Sequence, residues 1–165
     1  MKVYRETLKK RSTGMYPTFH KITGEVNEIV GRSGVKDGVC VVYSHHTTCS
    51  VITQECSFDL AYNGLEFVQQ DLVDILERLV PTCRKEGQYM HPGPELTDYA
   101  ISIGESKLEA LNTDAHLRSV FFGRSESIVI IDGKLDMGQF GHVYFVDFDK
   151  TRVRDREVQV QIIGE

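Results

Sequence analysis

Histidines are the residues of this chain whose type and position could do chemistry. Of the six, four lie in suggestive places: His45 and His46 in the stretch SHHTTCSVITQE, His91 in a turn-rich loop, and His116 near a predicted helix start. Their wide separation matches no compact motif such as H-E-x-x-H, so ordinary surface histidines remain an alternative. Three neutral imidazoles brought together by the fold would form a catalytic zinc site with an open fourth position.

A carboxylate ends the same stretch. Glu55 follows the strand predicted after the histidine pair, and it could serve as a general base that orients a metal-bound water. The alternative for Glu55 is a solvated carboxylate at the end of a strand.

Basic and small residues in the last third could bind an anion. Ser125 lies in the segment Gly-Arg-Ser after a predicted helix, and Arg152, Arg154 and Arg156 alternate before the last strand. Alternation puts these guanidinium groups on one face of an extended segment, where they suit phosphate. A charged, solvated edge strand is the alternative. The chain contains no P-loop, G-x-G-x-x-G or G-x-S-x-G motif, which removes most support for nucleotide hydrolases and serine hydrolases.

Composition limits the class of protein. The 165 residues, 41% of them hydrophobic, predict a single globular domain over 1–165. A formal charge of −5 argues against a nucleic-acid partner, and no apolar run is long enough to cross a membrane. The chain begins without an apolar leader segment and its four cysteines form no C-x-x-C pair. We therefore expect a cytoplasmic protein with free thiols.

The secondary-structure elements that must position these residues are predicted in the order strands, helices, strands. Residues 38–44 and 49–54 predict strands on either side of the histidine pair, and 64–80 predicts a helix whose apolar stripe is buried. Asp132-Gly133 predicts a tight hairpin. Without a regular βαβ rhythm, this order favours an α+β fold with mainly antiparallel sheets.

The segment 81–111 is rich in turn formers. HPGPELTD (91–98) predicts irregular structure because its prolines and glycine are closely spaced, and a short helix is expected at 105–111. A second helix is predicted at 113–122, carrying His116. A long loop within a compact domain is often functional.

Several short motifs, in order along nearly the whole chain, resemble those of the YjbQ family, also described as secondary thiamine-phosphate synthases. The matching pieces are His46-Thr47-Thr48 with the strand to Gln54-Glu55, Tyr89-Met90-His91, Asp114-Ala115-His116 through Gly123-Arg124-Ser125, Gly133-Lys134-Leu135 to Gly138, and Arg152-x-Arg154. Each piece is weak alone, and their order and spacing carry the resemblance.

The resemblance implies two packed antiparallel sheets with helices, assembled as a homotrimer. It implies that His46, His91 and His116 hold a divalent metal, zinc, while His45 is a neighbour. The implied activity joins hydroxymethylpyrimidine diphosphate to thiazole phosphate and releases pyrophosphate, as a secondary reaction. We predict Glu55 and His116 as catalytic residues, and Ser125, Arg152 and Arg154 as binding residues for a phosphorylated substrate.

The chain departs from the family pattern in places that bear on the substrate. Phe140-Gly141 stands where the family has Trp-Gln, Asp147 stands where it has Glu, and the 92–111 loop is longer. Two other functions stay open: a hydrolase acting on a phosphorylated small molecule, and a non-catalytic trimer that binds a metal or small ligand.

Overall fold

The structure, a computed structural model, describes residues 1–165 and contains eight strands and four helices. The strands are β1 (Lys2–Arg11), β2 (Thr18–Lys21), β3 (Gly38–Tyr43), β4 (Cys49–Glu55), β5 (Ser125–Ile131), β6 (Lys134–Leu135), β7 (Gly141–Asp147) and β8 (Asp155–Gly164). The helices are α1 (Thr23–Ser33), α2 (Phe67–Leu79), α3 (Gly93–Ser102) and α4 (Thr113–Phe122).

Two antiparallel sheets form the body of the molecule. The larger sheet has the order β1-β8-β3-β5-β6 and the smaller has β2-β7-β4. Every strand pair is antiparallel. The predicted α+β class with two antiparallel sheets is therefore confirmed.

The main core lies between the sheets and beneath α1. Alternate residues of each strand point inward, as the period of two requires, so that Val42, Val160 and Phe145 are fully buried. With Val26 and Ile29 of α1 they belong to a cluster of 17 buried residues. This core fixes the relative position of the two sheets, and with it the edge where the chain crosses from one to the other.

A second core covers the opposite face of the smaller sheet. Tyr144 and Phe148 pack there with Leu76 of α2 and Ala115 of α4. The stripe predicted for 64–80 is only partly buried: Leu76 is enclosed, whereas Ile75 and Leu79 of α2 are exposed. The prediction of a wholly buried stripe was wrong. Only the side of α2 that packs on the smaller sheet is covered, and the rest of the stripe faces solvent.

The outer face of the larger sheet carries an exposed apolar row. The strand register places Val3, Ile163, Val39 and Val129 side by side across β1, β8, β3 and β5. Val3, Val39 and Val129 are each more than two-fifths exposed.

The turn between β5 and β6 is a tight hairpin, as predicted. Asp132 and Gly133 both have positive φ angles, of 50° and 75°, which the two-residue turn requires. Asp and Gly tolerate this conformation better than most residues.

The segment 81–111 differs from the sequence prediction. Residues predicted as irregular form α3, in which Pro92 is the N-cap and Pro94 lies in the first turn, where no backbone N–H is needed. The short helix predicted at 105–111 is instead a pair of turns. None of the helices is both long enough and apolar enough to cross a membrane.

Candidate functional site

The histidines gather at one edge of the two sheets. The chain leaves the larger sheet at Tyr43, passes through residues 44–48 and enters the smaller sheet at Cys49, and α4 packs beside this crossing. A cavity of about 400 Å³ opens here, within the size range of small-ligand sites. Its walls include four histidines, namely His45, His46, His91 and His116, and two arginines, Arg154 and Arg156.

The ring of His91 is oriented by the first residue of α4. The Thr113 hydroxyl donates to the backbone carbonyl of His91 at 2.9 Å, and its oxygen lies 2.9 Å from Nδ1 of the same ring. Because the hydroxyl proton is already used, Nδ1 must carry the proton in that bond. The lone pair of His91 Nε2 is therefore free.

The ring of His116 is held in the same tautomer. Its Nδ1 lies 3.2 Å from the carbonyl oxygen of Thr47, which can only accept, so Nδ1 donates and Nε2 keeps its lone pair. The ring centres of His91 and His116 are 5.1 Å apart. Burial lowers the pKa of both rings, and the neighbouring His91 lowers that of His116 further. Both imidazoles are thus neutral near pH 7 and can serve as bases or metal ligands.

His46 is oriented differently. Its Nε2 accepts the backbone N–H of Glu157 at 2.9 Å, so the neutral ring carries its proton on Nδ1. Burial and the charge of Arg156 lower the pKa of His46. The ring of His45 lies against it, tilted by 42° with the ring centres 4.2 Å apart, and lines the same cavity.

The donor set fits a metal only in part. His91 and His116 each offer a free Nε2, with Nδ1 fixed by an oxygen, as is usual for metal-binding histidines. No group of three His, Cys, Asp or Glu side chains is arranged to hold an ion. The predicted three-histidine site is therefore not formed with these ring orientations, because the Nε2 of His46 is bonded to the backbone of β8.

A buried ion-pair network forms the floor of the cavity. Arg156 Nε donates to Asp147 Oδ2 at 2.6 Å, and its Nη2 donates to the Thr48 hydroxyl at 2.9 Å. Asp149 Oδ2 lies 3.7 Å from the same Nη2, and both aspartates are almost fully buried. Since these groups satisfy one another, they fix the end of β7 and the start of β8 around the histidines.

The predicted arginines contact carboxylates. Arg154 lines the cavity with its Nε 3.5 Å from Asp149 Oδ2, yet this buried Nε has no hydrogen-bond partner. Arg152 lies just behind and pairs with Glu105 and, at 3.0 Å, with Glu109. Both glutamates belong to the cavity wall.

Two predicted residues lie outside the cavity. Glu55 is at the far end of β4, paired with Gly141, six residues from Cys49 and so about 20 Å along the strand. At that distance the Glu55 carboxylate cannot reach the histidines of the same subunit. Ser125 begins β5 and lines a separate cavity with Arg124, on the other side of His116.

A second buried charge network supports the histidine-bearing segments from behind. Arg118 of α4 is fully buried, donates to the carbonyl of Val80 and pairs with Glu77 at 2.8 Å. The Asp114 carboxylate accepts the backbone N–H of Cys83. These bonds tie the chain after α2 to α4, one turn from His116.

Sequence reasoning missed the acidic half of the site. Asp147 and Asp149 are two residues apart where β7 ends, and the arginines are two residues apart in the segment that leads into β8. This spacing was a signal that the two sets of charges could face each other. Glu105 and Glu109 gave no comparable signal, because turns place them against the arginines.

Together, the fold and the site define an α+β protein of two antiparallel sheets whose edge holds a histidine-lined pocket. A family model described as "UPF0047 protein YjbQ-like" matches residues 8–165. The chain belongs to the YjbQ/UPF0047 family, which confirms the resemblance seen in its motifs.

Relatives and solved structures agree on the family and the fold. A UPF0047 protein of Methanocaldococcus jannaschii is 32% identical over 87% of this chain and 83% of its own length. A UPF0047 protein of Synechocystis is 31% identical over 90% and 84%. The crystal structure of a protein of the same family from Clostridium acetobutylicum is 31% identical, with a TM-score of 0.69 over 97% of this chain and 99% of that one.

A crystal structure from Sulfolobus solfataricus, described as a YbjQ-like protein of unknown function, has a TM-score of 0.74 over 99% of both chains, at 22% identity. At that identity the likeness concerns the fold alone. The descriptions of these four proteins name the family and no activity.

Proposed function

We propose that this protein is a divalent-metal-dependent enzyme that acts on a phosphorylated small molecule in the histidine pocket. The observation that carries the proposal is the pair of free Nε2 atoms on His91 and His116, fixed in one tautomer inside a cavity of about 400 Å³. The guanidinium group of Arg154 in the same wall would donate to a phosphate oxygen.

The roles follow from the bonds described. His91 and His116 bind the metal or, without it, accept a proton from the substrate, since their neutral rings have one free lone pair each. Arg154 orients the phosphorylated end. Arg156 is committed to Asp147 and holds the pocket floor in place.

A divalent ion, zinc by our proposal, would be held by the Nε2 atoms of His91 and His116. His46 could complete the set only after its ring gives up the bond from Glu157 N–H. Bound there, the ion would supply positive charge next to phosphate oxygens.

Metal analysis tests the donor set. We expect untagged protein loaded with zinc to hold stoichiometric metal, and His91→Ala or His116→Ala to lose it. His142→Ala, a histidine outside the pocket, is the matched control. Wild-type protein that holds no zinc after loading would remove the metal from the proposal, and retention by both pocket variants would remove the ligand assignment.

The reaction we propose is the one that the family resemblance implies: thiazole phosphate forms the new bond to the hydroxymethylpyrimidine, whose bond to the diphosphate breaks, and pyrophosphate leaves. Cationic groups near the leaving pyrophosphate would stabilise its developing charge. Overexpression should rescue a thiamine-requiring strain, and His116→Ala should not. A failure of the wild type to rescue would leave hydrolysis of a phosphorylated small molecule, or ligand binding without catalysis.

We expect the enzyme to work in the cytoplasm.

We also propose that the protein assembles as a homotrimer. The support is the exposed apolar row on the larger sheet, since contiguous exposed apolar surface commonly marks an interface. Light scattering should give three chains per particle. Val129→Lys should dissociate them, whereas Val153→Lys, at an exposed valine outside the row, should not. A wild-type monomer would contradict the assembly.

A further inference from the structure

One side of the histidine pocket is built by residues 93–111, here called the cover segment: α3 and the turns that follow it. Seven of the 18 residues that line the cavity belong to it. Along α3 only Ala100 is buried, while Ile101 and, just after the helix, Ile103 are about half exposed. The cover segment thus packs loosely against the body of the protein.

Two glutamates make its polar attachments. Every hydrogen bond and ion pair between the cover segment and the rest of the chain involves Glu105 or Glu109. Glu105 pairs with Arg152 and lies 3.5 Å from Nη2 of Arg154. Beyond these contacts, only Ala100, Ala110 and Leu111 anchor the segment by burial.

The cations around the pocket are already paired with carboxylates before any ligand enters. The cavity wall carries the cations Arg154 and Arg156 against the carboxylates Glu105, Glu109 and Asp149. A guanidinium group binds a carboxylate and a phosphate with the same fork geometry. The carboxylate of Glu105 therefore occupies the position that a phosphate oxygen would take at Arg152 and Arg154.

We propose that Glu105 is a built-in competitor for anionic ligands and determines which ligands the pocket accepts. An anion that pairs with Arg152 and Arg154 must displace Glu105, and this displacement releases the cover segment from its main polar attachment. Binding of a strongly anionic group such as a diphosphate is thereby coupled to opening of the pocket. Neutral ligands, which cannot replace the carboxylate, leave the segment closed. The inference rests on the proposed function, because it assigns an anion to the same pocket.

Calorimetric titration with inorganic pyrophosphate tests the competition. Glu105→Gln removes the competing charge and keeps the shape of the side chain, so it should bind pyrophosphate about fivefold more tightly than wild type, the upper range for partly exposed ion pairs. Glu95→Gln is the matched control: it removes the same charge from an exposed residue of α3 that contacts no arginine. It should bind as wild type does.

Hydrogen exchange of the wild-type protein provides a second measurement. Pyrophosphate should speed amide exchange in residues 93–111 and leave exchange in β8 unchanged. Slower or unchanged exchange in the cover segment would overturn the coupling.

The outcomes separate this inference from the proposed function. Wild-type binding without tighter binding by Glu105→Gln, or equal tightening by Glu95→Gln, overturns the competitor and leaves the anion site standing. Binding by Glu105→Gln alone supports the competitor in its strongest form. If neither protein binds pyrophosphate, the competitor and the phosphorylated ligand both fail.

Discussion

At the pocket floor the side chain of Arg156 is 7% exposed and is bonded to Asp147, whose side chain is 1% exposed, whereas at the cover the side chains of Arg152 and Glu105 are 22% and 25% exposed. The chemical pairing is the same in both places. At the floor, water cannot replace a lost partner, so the pair is structurally obligatory. At the cover, water and dissolved ions reach the pair and can replace the carboxylate. A pocket with one fixed wall and one exchangeable wall can hold its reactive groups in place while it admits a ligand.

The largest effect is expected at the floor. Asp147→Ala leaves the Arg156 guanidinium buried without its main carboxylate, which should lower the free energy of unfolding by about 3–5 kcal/mol. Urea denaturation measures this change. The control Asp155→Ala removes the carboxylate of an exposed pair with Arg11 and should change stability by no more than about 0.5 kcal/mol. A loss at Asp147 as small as that of the control would mean that the floor is no more obligatory than the cover.

The two walls also differ in how far the sequence predicts them. Floor residues lie at the facing ends of two strands: Asp147 ends β7, Arg156 is the second residue of β8, and Asp149 and Arg154 lie two residues beyond them in the connection. In both pairs the charged residues are two apart, which is the period of an extended chain. The sheets themselves followed from alternation and the Asp132-Gly133 turn. Strand patterns therefore predicted both the fold class and the position of the histidine pair between β3 and β4.

The cover could not be predicted in this way. Pro92 and Pro94 suggested irregular structure, although both lie where a helix start tolerates proline. The contact of Glu105 with Arg152 joins residues from turns, which have no period to extrapolate. The orientation of His46 likewise depends on a backbone N–H of β8, which no side-chain pattern reveals.

The bonds between Thr113 at the start of α4 and His91 should show an intermediate effect. Thr113→Val keeps the shape of a buried side chain but removes the hydroxyl that bonds the ring and carbonyl of His91. We expect a stability loss of about 1–2 kcal/mol, and zinc binding weakened by about 10–100-fold if His91 is a ligand. The control is Thr97→Val, since the Thr97 hydroxyl bonds only Gly93 within α3. Unchanged zinc affinity in Thr113→Val would mean that this bond does not position the ring.

The histidines between the walls should make stability depend on pH. Burial lowers the pKa of His91 and His116 in the folded protein below the ordinary value of 6.5. The unfolded chain then binds more protons, so stability is complete above that value and falls as the pH drops below it. Urea midpoints of metal-free protein between about pH 7.5 and about pH 5.5 measure the trend. A double variant, His91→Gln with His116→Gln, should make the trend shallower, and the remainder belongs to His46, His20 and His142, whose pKa values burial also lowers. A wild-type midpoint that rises with acid would contradict the burial of these rings.

The smallest effect is expected at the cover. Glu105→Gln breaks a partly exposed pair, and both partners regain solvation, so stability should fall by no more than about 1 kcal/mol. Because exposed pairs are screened by salt, the difference from wild type should shrink further as ionic strength rises. Urea denaturation at low and high salt, with Glu95→Gln as the control, measures both the loss of stability and its dependence on salt. A salt-independent loss as large as that of Asp147→Ala would make the cover a second fixed wall, and ligand entry would then need a route that leaves Glu105 in place.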